Sequence, residues 1–253
     1  MSKKYNLFHN EGYILLKQFV LNDSFIEICE SLKAAILEEY KKVDKNKIGG
    51  HYMGNLGVYI GKYEKVIYNI LVKNGLDKII NEITKNNLSE FEIIFGGNLN
   101  LPGGYDQHFH MDGSFHNKFI IVNLATENVD ELNGPIEIAC NTHKEFTPYW
   151  KFFLKNNTTK KLILTKGDIV IRKNELWHGG TKNNSNQPRF LLTLALKKKE
   201  KKENKIFFNR NKKIKICSNF FSSSFFGKIE EKIYTRLRFF YTSIRLLKSI
   251  LKL

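Results

Sequence analysis

The chain has 253 residues, of which 42% are hydrophobic and 26% are charged, a composition typical of a folded domain rather than of a disordered or fibrous protein. It contains no run of about 18 apolar residues that would cross a bilayer. The net charge is +16, and residues 197–253 contribute +13 of it through 17 Lys and Arg against 4 Glu. The basic excess therefore belongs to the end of the chain and says little about the rest.

The cysteines and the first residues predict a reducing compartment. Cys29, Cys140 and Cys217 are scattered and suggest neither a disulfide framework nor a CxxC metal site. The opening residues lack the apolar segment of a signal peptide. We therefore expect a cytoplasmic protein.

Residues 1–90 are predicted to be mostly helical. The apolar segment 13–19 alternates poorly and is a candidate strand. Beyond it, apolar residues recur every three or four positions from Phe25 to Tyr40, with Asn22 or Asp23 as the N-cap. This pattern predicts an amphipathic helix.

From about residue 90 the pattern changes to short β-rich runs separated by Gly, Asn, Asp and Pro. These runs are EFEIIFGGNLNL, KFIIVNLA, GPIEIA, KLILT, DIVIR and RFLLTLAL. Their spacing is that of an antiparallel barrel or sandwich. The order of elements predicts a mainly β protein, with N-terminal helices over 1–90 supporting a jelly roll over about 91–196.

The last fifth of the chain is predicted to form a separate basic tail. Residues 197–205, KKKEKKENK, have no apolar side chain and indicate a boundary between a domain at 1–196 and a tail at 197–253. Three Phe pairs follow, at 207–208, 220–221 and 225–226, and then an apolar stripe from Ile229 to Leu251 flanked by Lys and Arg. This stripe predicts a basic amphipathic helix.

Three partners suit such a helix. The stripe with its basic flanks suits an anionic membrane surface, contacted through residues 228–253. It equally suits packing on the protein's own domain or on a second subunit. Nucleic acid is less favoured, although Phe pairs and lysines can serve as stacking platforms and phosphate contacts. The sequence leaves the oligomeric state open.

A candidate metal site lies in the segment YDQHFHMDGSF. Alternate residues of a strand point to the same face, so His110 and Asp112 can contact one ion. His178 lies 66 residues beyond Asp112, at the end of GDIVIRKNELWH, and is the candidate for a second imidazole. Two imidazoles and one carboxylate on one face are the ligand set of non-haem Fe(II) oxygenases.

The surroundings of these residues resemble the phytanoyl-CoA dioxygenase family of Fe(II)- and 2-oxoglutarate-dependent oxygenases. The segment GDIVIRKNELWHGGTKNNSNQPRF is similar to the family's distal motif, with Asn183 and Arg189 five and eleven residues after His178. NGPIEIACNTHKEF is similar to its middle strand and turn, and FHNEGYILLKQFV to its start. The resemblance covers residues 8–196.

The resemblance implies a double-stranded β-helix, that is, a cupin-like jelly roll, with Fe(II) bound by His110, Asp112 and His178. It implies that Arg189 holds the distal carboxylate of the co-substrate 2-oxoglutarate, a role suited to a planar guanidinium that donates two parallel hydrogen bonds. Thr181 is a further candidate donor near that site. O₂ is the other co-substrate, and ascorbate is a candidate reductant. Related halogenases have Gly or Ala in place of Asp112, so hydroxylation is favoured over chlorination.

We therefore expect an Fe(II)- and 2-oxoglutarate-dependent dioxygenase that hydroxylates an unactivated C–H bond. Its substrate is expected to be a small molecule or a lipid- or glycan-linked biosynthetic intermediate, met at the inner membrane face if the tail binds lipid. Specificity is expected from the N-terminal helices and from residues 51–62 and 126–133. The alternative is a non-catalytic jelly-roll module that binds a metal and uses its tail for membrane or partner assembly.

The sequence also shows a departure from the family pattern and several residues of lesser weight. Cys140 and Asn141 stand where the family usually has Pro-Gly, which leaves the shape of the following turn open. His108 is expected at the rim of the site and Trp177 in its wall. Further candidates to line the cavity are Asn98, Asn100, Tyr105, Gln107 and Asn123.

Overall fold

The computed structural model describes residues 2–20, 22–200 and 213–251. Within these residues there are ten strands, seven α-helices and one 3-10 helix at Leu88–Glu90. The strands are β1 Tyr13–Leu16, β2 Asn55–Tyr59, β3 Phe91–Asn100, β4 Phe119–Ala125, β5 Ile136–Ala139, β6 Thr159–Leu162, β7 Ile169–Lys173, β8 His178–Gly180, β9 Arg189–Lys198 and β10 Lys215–Cys217. The α-helices are α1 Lys3–Glu11, α2 Asp23–Lys41, α3 Tyr63–Lys73, α4 Leu76–Thr84, α5 Tyr149–Leu154, α6 Phe225–Arg236 and α7 Arg238–Leu251.

Two antiparallel sheets form the centre of the fold. Among the described residues, the larger sheet has the strand order β1-β7-β4-β9-β3-β2-β10 and the smaller one the order β6-β5-β8. Their facing sides share one apolar cluster, which joins Val170 and Leu191 of the large sheet to Ile138 and Leu162 of the small sheet. This architecture is the predicted jelly roll with N-terminal helices.

The two-residue period of the strands separates the main core from the interior of the jelly roll. On β9, Leu192 and Leu194 belong to the main core, whereas Thr193 and Ala195 line a cavity between the sheets. Successive side chains of a strand point to opposite faces. The outer face of the large sheet therefore packs against the helices, and its inner face lines the cavity.

Helix α2 covers the outer face of the large sheet. The Asn22 side chain accepts a hydrogen bond from the Phe25 backbone amide and caps the helix, as its sequence pattern predicts. Phe25, Leu32 and Ile36 are buried in the main core. Burying such a side chain contributes about 1.5–3 kcal/mol. The helix thus serves as the predicted support of the sheet.

The six predicted strand runs from residue 90 onward correspond to β3, β4, β5, β6, β7 and β9. The candidate strand at 13–19 is β1. The structure adds β2, inside the segment 51–62, together with the short strands β8 and β10, which the sequence pattern did not indicate. The single amphipathic helix expected near the end is two helices, α6 and α7, which meet at Leu237, where φ is −130° and ψ is 49°.

The described part of the tail packs on the domain. Strand β10 pairs with β2 at the edge of the large sheet, and Glu231 of α6 is fully buried against residues 50–53. Strand β9 extends to Lys198, so the segment 197–205 begins inside a strand. The rest of that segment from residue 201, and the Phe207–Phe208 pair, lie outside the described residues. The division at 196/197 therefore stays a prediction.

Candidate metal centre and active-site cavity

The interior of the jelly roll contains a cavity of about 400 Å³. Four of the residues singled out in the sequence line it: His110, Asp112, His178 and Arg189. Asn98, Gln107 and Asn123 line it as well, whereas Asn100 and Tyr105 are not part of its lining. His110 and Asp112 therefore meet His178 and Arg189, which lie 66–79 positions later in the sequence, in one cavity.

A backbone bridge brings the two histidines together. His110 and His178 exchange two amide-to-carbonyl hydrogen bonds, each of 2.9 Å, and their ring centroids are 4.5 Å apart. His178 is held in β8 by pairing with Ile138 of β5. The imidazoles are thus fixed side by side by the main chain rather than by flexible loops.

Hydrogen bonds to carbonyl groups fix the tautomer of both imidazoles. Nδ1 of His110 lies 3.0 Å from the carbonyl oxygen of His108, and Nδ1 of His178 lies 2.9 Å from that of Leu176. Nη1 of Arg172, which only donates, is farther from Nδ1 of His178, at 3.5 Å. Because the closer carbonyl oxygen only accepts, we assign the proton to Nδ1 in each ring. The lone pair on each Nε2 is left for a ligand, an arrangement common in metal-binding histidines.

Asp112 completes the cluster. One ligand atom of each of the three residues lies within 4.8 Å of the other two, and Nε2 of His178 is 3.5 Å from Oδ2 of Asp112. Oδ2 also accepts a hydrogen bond of 2.7 Å from Arg172, which leaves Oδ1 without a partner among the described residues. Neutral imidazole and carboxylate donors at this spacing fit a divalent transition-metal ion with open positions.

The charges around the cluster favour its metal-binding protonation state. Burial lowers the pKa of His178 to about 3 and also lowers that of His110, so both rings are neutral near pH 7. Burial alone would raise the pKa of Asp112, but the charge and the hydrogen bond of Arg172 hold it below its usual range. The site therefore presents two neutral ring nitrogens and one carboxylate.

Sequence reasoning missed Arg172, which is 4% exposed. Its guanidinium donates to Asp112 through Nη2 and to the Asn123 side chain through Nε. Charged residues are almost never fully buried unless they are paired. An arginine inside the apolar run DIVIR was therefore the available signal for a buried partner carboxylate.

Arg189 is 2% exposed at the start of β9. Nη2 donates to the carbonyl oxygen of Gly134 at 2.6 Å, and Nε donates to that of Asn133 at 3.4 Å. Nη1 has no acceptor among the described residues. Burial lowers the pKa of Arg189 to about 10, so the side chain is still a cation at neutral pH. The arrangement leaves one buried, positively charged donor beside the cavity.

Thr181 has a different environment. Its hydroxyl and its backbone amide both contact the carbonyl oxygen of Pro135, at 2.8 and 3.0 Å. It lines a smaller neighbouring pocket and not the cavity that contains Arg189. Because its hydroxyl proton is already donated, we do not carry Thr181 into the proposed site.

Three further expectations can be compared with the structure. His108 packs at the rim against aromatic rings, among them Phe220 with a centroid distance of 4.3 Å. Trp177 lies in the wall, stacked on Phe152 at 4.2 Å. Asn141, at the departure from the family's Pro-Gly, has a φ of +63°. Asn tolerates this left-handed conformation better than most residues, so it can form a turn that elsewhere uses Gly.

The tail closes one side of the cavity, which sequence reasoning did not foresee. Residues 217–220 line it, and the Phe220 ring is 5.4 Å from that of His110. Phe220 has a φ of +68°, a rare conformation for a bulky residue. Its ring packs against Phe221 and Tyr234, and Tyr234 donates a hydrogen bond to the Asp106 carbonyl. The tail is therefore part of the candidate site.

Comparisons with known proteins agree with this geometry. Residues 68–191 match the model of the family described as phytanoyl-CoA dioxygenase. No curated protein matches the chain in sequence.

Solved structures share the fold at low sequence identity. AviO1 from Streptomyces viridochromogenes Tue57 has a TM-score of 0.60 and 12% identity, over 78% of this chain and 94% of that chain. The epimerase SnoN, in complex with Fe³⁺, alpha-ketoglutarate (2-oxoglutarate) and nogalamycin RO, has a TM-score of 0.59 and 10% identity, over 78% and 82%. EctD from S. alaskensis, with 2-oxoglutarate and 5-hydroxyectoine, has a TM-score of 0.57 and 15% identity, over 78% and 76%.

The matched segment includes all four residues that line the cavity and that the motifs singled out: His110, Asp112, His178 and Arg189. The segment 68–191 therefore matches the phytanoyl-CoA dioxygenase family, and the chain is by class an Fe(II)- and 2-oxoglutarate-dependent oxygenase.

Proposed function

We propose that His110, Asp112 and His178 bind the ferrous ion and that Arg189 binds the distal carboxylate of 2-oxoglutarate. The observation that carries this proposal is the convergence of two neutral imidazoles, one carboxylate and one buried guanidinium on a single cavity. The free Nη1 of Arg189 supplies a charge-assisted donor for that carboxylate. Thr181 takes no part in this proposal.

Bound iron with 2-oxoglutarate and O₂ supplies the oxidising power for attack on an unactivated C–H bond, with ascorbate as a reductant that keeps the metal ferrous. The protein positions and shields the reactants. Arg172 holds the carboxylate of Asp112 in place through Oδ2. Phe220 covers the site beside His110 and excludes water from that side. The activity that follows from these roles is hydroxylation, the reaction favoured by the acid at position 112.

The test is turnover of 2-oxoglutarate by the purified full-length protein with Fe(II) and ascorbate. We expect slow succinate release even without substrate, none from Asp112→Ala, and a raised 2-oxoglutarate requirement for Arg189→Ala. Arg236→Ala changes an exposed arginine and serves as the matched control. Absence of succinate at every iron loading would contradict the proposal and favour a non-catalytic metal-binding module.

We further propose that the substrate is a small molecule or a lipid- or glycan-linked intermediate met at the inner face of an anionic membrane in the cytoplasm. Helices α6 and α7 expose Phe225, Phe226 and Phe239 at 73%, 79% and 88%. Lys232 and Arg236 are exposed on the same pair of helices. Apolar burial and attraction of about 1 kcal/mol per basic residue add at such a surface. No helix in the described part of the chain is long and apolar enough to cross a membrane.

Vesicle sedimentation tests the membrane proposal. The full-length protein should pellet with vesicles containing phosphatidylserine, and about 0.5 M salt should weaken this binding because exposed charges are screened. A double variant, Phe225→Ser with Phe226→Ser, should stay in the supernatant, whereas Leu154→Ser, at an exposed apolar residue outside the tail, should pellet. Equal sedimentation with phosphatidylserine and with neutral phosphatidylcholine vesicles would refute the proposal.

A further inference from the structure

A second cavity, of about 790 Å³, lies between the domain and α7. It is lined on one side by His110, Trp177 and Tyr149 and on the other by Arg245 and Lys248 of α7. His110 also lines the cavity between the sheets, so one proposed iron ligand borders both cavities. A ligand bound here therefore lies beside that histidine.

Arg245 has no hydrogen bond and no ion pair with any described residue, and its Nη1 is fully buried without an acceptor. Its guanidinium lies over the Tyr149 ring, 4.2 Å from the centroid. Burial lowers its pKa to about 10, and no acid among the described residues opposes this effect. Arg172 and Arg189, which are buried as whole residues, differ from the half-buried Arg245, since Arg172 is paired with a carboxylate and Arg189 with two carbonyl groups.

The polar lining of this cavity consists largely of donors. Trp177 contributes a second buried donor, Nε1, that has no acceptor in the described part of the chain. Lys248 adds a second positive charge, and the described lining residues include no Asp or Glu. Leaving a buried donor unsatisfied costs about 1–3 kcal/mol, and more for a charged group. The environment thus favours a ligand that brings acceptor oxygens and negative charge.

We propose that Arg245, with Lys248, binds an anionic oxygen-rich group of the substrate, a phosphate or a carboxylate, while the part to be oxidised extends past His110. This inference rests on the proposed oxygenase function and narrows its substrate class to anionic compounds. The aromatic and aliphatic lining, which includes Phe146 and Ile250, suits an apolar portion next to the anion. Arg245 is thus a specificity residue supplied by the tail, outside the family segment 68–191.

Both tryptophans of the chain, Trp150 and Trp177, line this cavity, so intrinsic fluorescence reports its occupancy. The probes are octyl phosphate, octanoate and octanol, titrated into the full-length Fe(II)-loaded protein without O₂. We expect at least one of the two anions to bind at least about tenfold more tightly than octanol, as expected for a charge-assisted hydrogen bond. The tighter of the two anions then identifies which of the two oxygen-rich groups the site accepts.

Arg245→Met should remove the preference for the anion, and Lys65→Met, at an exposed position of α3, should keep it. Octanol binding as tightly as both anions, or unchanged anion binding by Arg245→Met, would overturn the anion site. The comparison of the three probes on the unaltered protein needs no variant, so it decides the question even if Arg245→Met does not fold. Succinate release is measured in a separate assay. If that assay shows no oxygenase activity, the titration still shows whether the cavity binds an anion.

Discussion

Glu231 is the most direct test of how the tail is held on the domain. It is fully buried, and its two carboxylate oxygens accept hydrogen bonds from the backbone amides of Gly50 and Met53, at 3.0 and 2.9 Å. Hydrogen bonds to a charged group contribute about 1.5–3 kcal/mol each. In Glu231→Gln, one amide oxygen still accepts, but the NH₂ group faces a second donor. We therefore expect the free energy of unfolding to fall by about 2–4 kcal/mol.

The assay combines urea denaturation with hydrogen exchange of the amides at Gly50 and Met53. In Glu231→Gln both amides should exchange faster, and succinate release should fall because residues 217–220, which line the cavity, lose their anchor. Glu230→Gln is the matched control, since Glu230 is exposed and accepts only the Tyr241 hydroxyl at 3.2 Å. Glu230→Gln should lower the free energy of unfolding by less than about 1 kcal/mol. Unchanged exchange and stability in Glu231→Gln would refute this account of the tail.

Three further outcomes are expected. Arg172→Met leaves the partly exposed carboxylate of Asp112 unpaired, so the iron-free protein should lose about 1–3 kcal/mol of stability. Fe(II) should raise the Tm of this variant more than that of the parent, and an equal rise would contradict this. Gly167 and Gly75 share a φ of +89°, but a Cβ at Gly167 would lie 2.0 Å from a backbone oxygen, whereas a Cβ at Gly75 would meet no atom within 4 Å. In urea denaturation, Gly167→Ala should therefore lower the free energy of unfolding more than Gly75→Ala does. Equal losses in the two variants would refute the clash. Burial lowers the pKa of His143 in the folded protein. The neutral ring therefore stabilises the fold above the unfolded-state pKa of about 6.5, and this contribution is lost as pH falls. Between pH 7.5 and 5 the parent should lose more stability than His143→Gln, and parallel pH profiles of the two proteins would contradict this.

Much of the fold could be predicted because six strands of the jelly roll lie in β-rich runs separated by Gly, Asn, Asp and Pro. Strand β10 could not, because it has only three residues and is specified by pairing with the edge of the sheet at β2. The break between α6 and α7 also escaped prediction. The apolar stripe continues through Leu237 without interruption in sequence, and only the backbone turns there.

Some residues of the site could be recognised from the sequence and others could not. His110, Asp112, His178 and Arg189 stand in local motifs, so their sequence spacing was informative, and all four line one cavity. Phe220 was not recognisable, because its contact with His110 depends on how the tail folds back over more than 100 residues. The hydroxyl of Thr181 was misleading for the opposite reason, since a local carbonyl group satisfies it.

Calorimetric titration of the full-length protein with Fe(II), without O₂ and in the presence of 2-oxoglutarate, tests the metal centre itself. We expect one ion per chain, with affinity weakened at least about 100-fold in Asp112→Ala, since even residues that only orient metal ligands contribute about 10–100-fold to metal affinity. Asp106→Ala removes a nearby acid outside the cluster and should bind iron as the parent does. Equal affinity of the parent and Asp112→Ala would contradict the assignment of the metal centre.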